Sequence, residues 1–231
     1  PPVVPLTPER VVSREIGYVG EFPSVGLSVD ARLYAESVRN LIWWDKCADL
    51  SRCGDGFKNL LAAEYEGLEV TAKLRWDEGR SFLVANYARQ RASASLDALP
   101  TQWYDPGIGP LVQAFYNQEY LGLFPESAPV NSGSLLLSLA LADSWRFSTG
   151  YYFRDQVRIM DVSSDVTPEY SMHRIDVRLS KSFKFEHGRR AELAMVVQNA
   201  AKDDYTKYGT VNRAGEVPFT RRAWVTTALH F

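Results

Sequence analysis

Apolar and polar residues alternate along most of this chain. Leu27, Val29, Ala31, Leu33 and Ala35 fall on one parity, with Ser28, Asp30, Arg32, Tyr34 and Glu36 on the other. The split recurs at Leu68, Val70, Ala72, Leu74 and Trp76 against Glu69, Thr71, Lys73 and Arg75. It returns at Ile175, Val177 and Leu179 against Asp176, Arg178 and Ser180, and in the last stretch, where Ala223, Val225, Thr227, Leu229 and Phe231 oppose Arg222, Trp224, Thr226, Ala228 and His230. A period of two belongs to a strand with one apolar and one polar face, because a helix would repeat its apolar residues at three and four. No amphipathic helical pattern interrupts it. The spacing predicts about nine strands, at 9–22, 26–42, 58–76, 80–96, 133–142, 145–160, 171–185, 189–200 and 219–231.

The connections between these strands alternate in length. Pro23 to Val25, Asp77 to Gly79, Asp143 to Ser144 and Glu186 to Gly188 are tight turns, whereas Trp43 to Phe57, Asp97 to Ser132, Asp161 to Tyr170 and Ala201 to Pro218 are long. An up-and-down outer-membrane barrel has this asymmetry, with tight periplasmic turns and extended outer loops. The aromatic residues follow it. Phe22, Trp76, Phe82, Trp145, Phe147, Phe183, Phe185 and Phe231 lie near short turns or the C-terminus, and Trp43, Trp44, Phe57, Tyr170 and Phe219 lie toward the long loops. Interfacial girdles place rings at both strand ends, whereas rings filling a soluble β-core have no reason to avoid the middles.

Transfer costs assign the two faces. A lipid-facing Arg or Lys at the bilayer midplane costs ~2–4 kcal/mol. Asp30, Arg32, Glu36, Glu69, Lys73, Arg75, Asp176 and Arg178 are therefore predicted to face a hydrated lumen, and the Leu/Val/Ala parity to face hydrocarbon. Nine is an odd number, and an open sheet would leave two bare edges in lipid, where nothing satisfies the backbone. The expected fold class is all-β: a portion of an antiparallel up-and-down transmembrane β-barrel, about nine strands of a larger barrel.

Composition narrows the function classes. In 231 residues, 45% are apolar and 23% charged, which excludes a disordered chain. The longest strongly apolar run, Leu135 to Ala142, is interrupted by Ser138 and falls far short of the ~20 residues of a spanning helix. With 26 basic and 28 acidic residues there is no basic footprint for nucleic acid. The opening Pro-Pro-Val-Val-Pro-Leu lacks the layout of an export signal, which is expected to lie outside this chain.

Four segments carry a family resemblance. Leu6-Thr7-Pro8-Glu9-Arg10, followed by Glu15-Ile16-Gly17-Tyr18, resembles the opening of the C-terminal part of the barrel in TonB-dependent outer-membrane receptors. Asn59 with Glu66-Gly67-Leu68-Glu69 resembles that family's Asn…Gly-hydrophobic-Glu strand. Gln198-Asn199-Ala200-Ala201-Lys202-Asp203-Asp204-Tyr205 resembles its Asn-Leu-x-Asp-x-Tyr strand end, with Ala200 departing from the usual Leu. Phe231 and Leu229, with Thr227, Val225 and Ala223, resemble the C-terminal signal read by the barrel-assembly machinery. The resemblance implies that residues 1–231 are the C-terminal segment of a 22-stranded barrel, with the plug and ~13 earlier strands outside this chain. It further implies residence in the bacterial outer membrane and TonB-energised uptake of a scarce solute, foremost a ferric siderophore. TonB would act through the absent plug, on a TonB box not in this chain. The alternatives are a passive porin-like or structural outer-membrane barrel, and a soluble β-sandwich carbohydrate-binding module.

In an exported protein, Cys47 and Cys53 in the first long loop read as a disulfide. Thiolates are poorly matched to the hard ligands Asp45, Asp49 and Asp55 as a metal site. His173, His187 and His230 show no zinc spacing, no nucleophile elbow or dinucleotide fingerprint is present, and the pair Glu64 and Glu66 lies near a strand end. The chain is expected to be no enzyme and to use no cofactor or metal. The loop 97–132 carries Gln102, Trp103, Tyr104, Phe115, Tyr116, Asn117, Tyr120 and Phe124. Flat rings with a few polar groups suit aromatic siderophores or glycans, and they equally suit packing over a barrel mouth. Trp103, Tyr104, Tyr116 and Tyr120 are the ligand-binding candidates, joined by Tyr208 and Arg213 in the last loop, where the guanidinium would engage an anion.

Overall fold

The computed structural model describes residues 5–45, 56–97, 121–122, 124–159, 167–169, 171–201, 204–206 and 217–230. Runs of alternating residues form β1 (Arg10–Phe22), β2 (Leu27–Asp45), β3 (Gly56–Trp76), β4 (Ser81–Leu96), β5 (Asn131–Ala140) and β6 (Trp145–Arg154). They continue as β7 (Val157–Ile159), β8 (Thr167–Glu169), β9 (Met172–Lys184), β10 (Arg190–Gln198), β11 (Asp204–Thr206), β12 (Val217–Phe219) and β13 (Arg222–His230). Nine of these make one antiparallel sheet in the order β1-β2-β3-β4-β5-β6-β9-β10-β13, with β1 and β13 as its edges among the described residues. The strands follow the chain as an up-and-down meander, and the sheet is not closed.

Two predicted strands are shorter than the alternation implied. The stretch 145–160 leaves the sheet after Arg154, and Val157–Ile159 instead pairs with Thr167–Glu169 in a separate ribbon. Asp155 makes the break: its carboxylate accepts from Asn131 N (3.0 Å) and Nδ2 (2.6 Å), while its own N–H donates to Asn131 O (2.8 Å). The last strand likewise begins at Arg222, because Val217–Phe219 pairs with Asp204–Thr206.

The tight turns owe their shape to residues in the left-handed region. Asp77 (φ 54°), Glu78 (φ 55°) and Gly79 (φ 82°) close β3 onto β4, and Asp143 (φ 55°) with Ser144 (φ 64°) closes β5 onto β6. At Gly26 (φ 67°) a Cβ would fall 2.1 Å from the Arg75 carbonyl oxygen, so both conformation and space demand glycine there.

Cross-strand register fixes the faces. One row runs Asp30–Thr71–Asn86–Ser134–Tyr152–Arg174, and its neighbours carry Arg32 with Glu69 and Ser28 with Lys73. All eight charged residues expected on one face share this polar face. The opposite face carries Phe22–Leu27–Leu74–Leu83 and, two rows on, Tyr18–Ala31–Val70–Tyr87. Phe82 is a correction: it pairs with Arg75 on the polar face, where Lys73 Nζ lies 5.7 Å from its ring, and so leaves the expected girdle.

No second layer covers the apolar face among the described residues. Ile16 is 70% exposed, Leu33 54%, Met195 56% and Val225 65%, values foreign to the core of a water-soluble sandwich. Among the described residues, the apolar ones buried to 2% exposure or less form one tight group at the long-connection end, Leu60, Leu61, Ala62 and Ala63, with Ala194 farther along the sheet, where the polar residues Ser180 and Asn199 are equally buried.

Candidate functional site

Three regions can do chemical work: the polar face, the long-connection end of β1–β4, and the aromatic rim on the apolar face.

The polar face carries a series of short hydrogen-bonded ladders. Arg32 on β2 reaches Glu69 on β3 (2.7 Å) and Glu15 on β1 (3.4 Å) and lies 5.5 Å from the Tyr34 ring. Thr71 Oγ1 donates to Asn86 Oδ1 (2.9 Å), and Asn86 Nδ2 donates to Ser134 Oγ (3.1 Å), which carries the ladder over β3, β4 and β5. Farther along, Arg146 bonds Ser138 Oγ (3.0 Å), Arg174 bonds Asp176 (2.7 Å) while lying 4.6 Å from the Tyr152 ring, and Arg178 bonds Ser180 (2.8 Å) and Glu192. Asp176 also accepts from the N–H of buried Asn199 (3.0 Å), which lies within the Gln198–Tyr205 motif. These groups are paired yet wet, an arrangement suited to lining a water-filled space.

At the long-connection end, β2 carries irregularities between Val38 and Ile42, and Asn40 takes φ 57°. A bulge frees backbone groups that need other partners. Side chains supply them. Asn40 N–H donates to Asp97 Oδ2 (2.8 Å), Ile42 N–H donates to Glu9 Oε1 (2.7 Å), and Asn59 Nδ2 donates to the carbonyls of Asn40 (2.6 Å) and Thr7 (2.8 Å). Asn59 Oδ1 accepts from Thr7 N–H (2.7 Å), so one amide pairs with both backbone groups of Thr7, as a strand neighbour would. Thr7, Glu9 and Asn59, singled out in sequence only as parts of two family-like motifs, thus join in one staple.

Phe124 lies seven residues before β5 in the long connection 97–132 and is buried 6.0 Å from the ring of Tyr65, a polar-face residue of β3. Of the two roles open to that loop's rings, Phe124 takes packing. Trp103, Tyr104, Tyr116, Tyr120, Tyr208 and Arg213 lie outside the described residues, as do Cys47, Cys53 and Phe231. Leu229 is on β13, paired with Ala191, on the apolar face and 65% exposed.

Of the rim residues Tyr87, Phe153, Tyr151, His173 and Trp145, only Trp145 is among the girdle aromatics expected from the sequence. Tyr87, Phe153, Tyr151 and His173 share the apolar face on β4, β6 and β9, with successive ring centroids 6.5, 6.1 and 6.2 Å apart. Their polar ends are satisfied: Tyr87 Oη donates to Asn131 Oδ1 (2.7 Å), and Tyr151 Oη lies 2.8 Å from His173 Nδ1. Rings with an apolar body and a polar tip suit a boundary between hydrocarbon and water. At the opposite end of the strands, Lys181 Nζ lies 5.0 Å from the Trp145 ring on the same face.

No family model matches the sequence, and no curated protein matches it. Solved structures do match in fold. The ferric-catecholate import receptor Fiu of E. coli K12 has 14% identity and a TM-score of 0.67 over 97% of this chain and 28% of its own. The unliganded ferric citrate transporter FecA has 14% identity and a TM-score of 0.65 over 96% of this chain and 32% of its own. FpvA of P. aeruginosa, solved with heterologous pyoverdines, has 15% identity and a TM-score of 0.64 over 97% of this chain and 28% of its own. The chain spans about a third or less of each of these three structures, which are TonB-dependent receptors. Its fold is that of a portion of their transmembrane β-barrel.

Proposed function

We propose that this chain is part of an outer-membrane receptor that takes up a scarce solute with energy delivered by TonB, and that the solute is a ferric siderophore. The observation that carries the reading is the single-layer sheet, with one bare apolar face and one paired, hydrated face, in the fold of barrels whose proteins handle ferric catecholates, ferric citrate and pyoverdine. The apolar face meets hydrocarbon and the polar face lines the lumen. The plug and the TonB contact belong to chain outside these residues. Trp103, Tyr104, Tyr116 and Tyr120 offer flat rings to the ligand, and Tyr208 and Arg213 a hydroxyl and a cation. Phe231 and Leu229 serve barrel assembly. The protein carries out transport rather than catalysis.

The test is uptake of radio-iron bound to a panel of catecholate, hydroxamate and carboxylate siderophores by cells making the full-length protein, with and without functional TonB. The reading expects uptake of at least one of them, lost without TonB. Uptake that persists without TonB would instead favour a passive barrel. Replacing Trp103, Tyr104 and Tyr116 by Ala should weaken binding of that siderophore about tenfold or more; unchanged affinity would leave the loop as packing alone.

A further inference from the structure

The apolar face changes character partway up β1–β4. Toward the tight turns it carries Ile16 and Tyr18 on β1, Leu33 on β2, Leu68 on β3 and Tyr87 on β4. Beyond them the same parity carries Arg14 and Arg10, Arg39, Glu66 and Glu64, and Arg89 and Arg91. Register ties these together: Arg14–Ala35–Glu66–Arg91 is a single cross-strand row, and Arg10 pairs with Arg39 two rows on. Side chains in adjacent rows lie within reach of one another.

Five arginines oppose two glutamates here, a net charge of +3 on a chain whose total is −2. The glutamates are spoken for: Arg39 bonds Glu64 (2.7 Å), and Arg91 lies 3.8 Å from Glu66. Asp155, near the same end of the sheet, is held by Asn131. Arg10, Arg14 and Arg89 are exposed and make no ion pair or hydrogen bond among the described residues. Arg10, Arg14, Arg39 and Arg91 line a shallow groove of about 780 Å³ together with Glu64 and Glu66. A second groove of the same volume, reaching down to Leu33 and Leu68, is lined by Arg14, Arg89 and Arg91 together with Glu15 and Glu66.

Lumen-facing charge needs no external partner, but this charge is on the other face, directly beyond an apolar surface sized for hydrocarbon. Guanidinium forks match phosphate oxygens bidentately. We propose that this belt is a binding site for the phosphate groups of an anionic lipid in the outer leaflet, with acyl chains along Ile16, Leu33 and Leu68 and phosphates at Arg10, Arg14 and Arg89. The inference rests on the barrel reading above and adds a specific lipid partner to it.

The full-length protein in mild detergent is the material for the test. Lipid retention is measured after incubation with phosphatidylcholine vesicles alone, with vesicles containing a bis-phosphorylated lipid A, and with vesicles containing its dephosphorylated form. A cation near an anionic surface contributes about fivefold in affinity, so Arg10→Gln/Arg14→Gln/Arg89→Gln should weaken retention of the phosphorylated lipid about a hundredfold. Arg75→Gln, on the polar face, should leave it unchanged. Wild-type retention of the dephosphorylated lipid at the level of the triple variant supports the proposal. Equal retention by wild type and triple variant overturns it, as does displacement of the lipid by equimolar inorganic phosphate, which would mark a free-anion site. Should the triple variant fail to fold, Arg14→Gln alone is expected to lose about fivefold, and no loss overturns the proposal. Heat-modifiable gel mobility of the wild type separates the two readings: without it the barrel falls and the lipid site with it. Mobility with unchanged retention overturns the lipid site alone.

Discussion

The assignment of faces is open to a direct energetic test with one substitution made on two adjacent residues. Ala31 and Asp30 are neighbours on β2 but belong to opposite faces: Ala31 sits between Tyr18 and Val70, and Asp30 between Val19 and Thr71. The apolar run from Leu27 to Ala35 covers about 26 Å of strand at ~3.3 Å per residue, which a tilt of ~40° reduces to about 20 Å of height. Ala31 is at its centre. Arginine there would meet the bilayer midplane and cost ~2–4 kcal/mol, about 30- to 700-fold in the folding equilibrium. Asp30→Arg places the same side chain in the lumen, where the penalty is contact with Arg32 and Lys73 in water, under about 1 kcal/mol. Urea titration of the full-length protein in phosphatidylcholine bilayers, scored by heat-modifiable mobility, measures both. Equal destabilisation, or a larger cost for Asp30→Arg, would refute the assignment of hydrocarbon to the Leu/Val/Ala parity and the transport reading built on it.

Other consequences are local. Asn59→Ala removes three hydrogen bonds to Thr7 and Asn40, at about 1 kcal/mol each, and should lower stability by about 2–3 kcal/mol; unchanged hydrogen-exchange protection of the Thr7 amide would contradict that. Gly26→Ala combines a left-handed backbone with a clash against the Arg75 carbonyl and should cost about 2–5 kcal/mol, whereas Gly79→Ala meets no atom within 4 Å and should cost about 1 kcal/mol. Similar melting-temperature losses for the two would show that the Gly26 contact relaxes freely. Cys47 and Cys53 should resist maleimide on the folded protein until a reductant is added; fast labelling of both beforehand would exclude the bridge.

The sheet was legible because its signal is local. The period-two alternation located the nine strands of the main sheet, and the split of parities predicted the shared face of Arg32, Glu69, Asp176 and Arg178, because a strand's register admits only two orientations. Errors came where local pattern continued past its tertiary support. Asp155 and Gln156 interrupt no alternation strongly, yet the carboxylate of Asp155 captures Asn131 and ends β6. Phe82 resembles a girdle residue by position and is on the polar face by parity. Counting parity back from Leu83 would have found this, and the same exercise on Arg14, Glu66, Arg89 and Arg91 would have found the charged belt.

The staple shows why the rest was hidden, and what two of the family-like segments do physically. Thr7 and Asn59 are 52 residues apart, and Asn40 and Asp97 are 57 apart, so no window of sequence contains both partners of either bond. Their need arises only once β2 bulges at Asn40 and leaves the N–H of Ile42 and the carbonyl of Asn40 without ladder partners. Glu9 supplies an acceptor, Asn59 a donor and Asp97 a further acceptor, each a residue type whose reach and polarity fit that one deficit. Leu60, Leu61, Ala62 and Ala63 follow directly in β3 and are the most buried run among the described residues, so the staple pins the chain where burial is tightest. Glu9 just before β1, Asn59 on β3 and Asp97 just after β4 converge on one bulge of β2, and this fixes the rim where the long connections depart. Under the transport reading proposed above, a mouth built from such connections would need a rigid base, and Asn59 and Glu9 would supply it by joining strands rather than by touching a ligand.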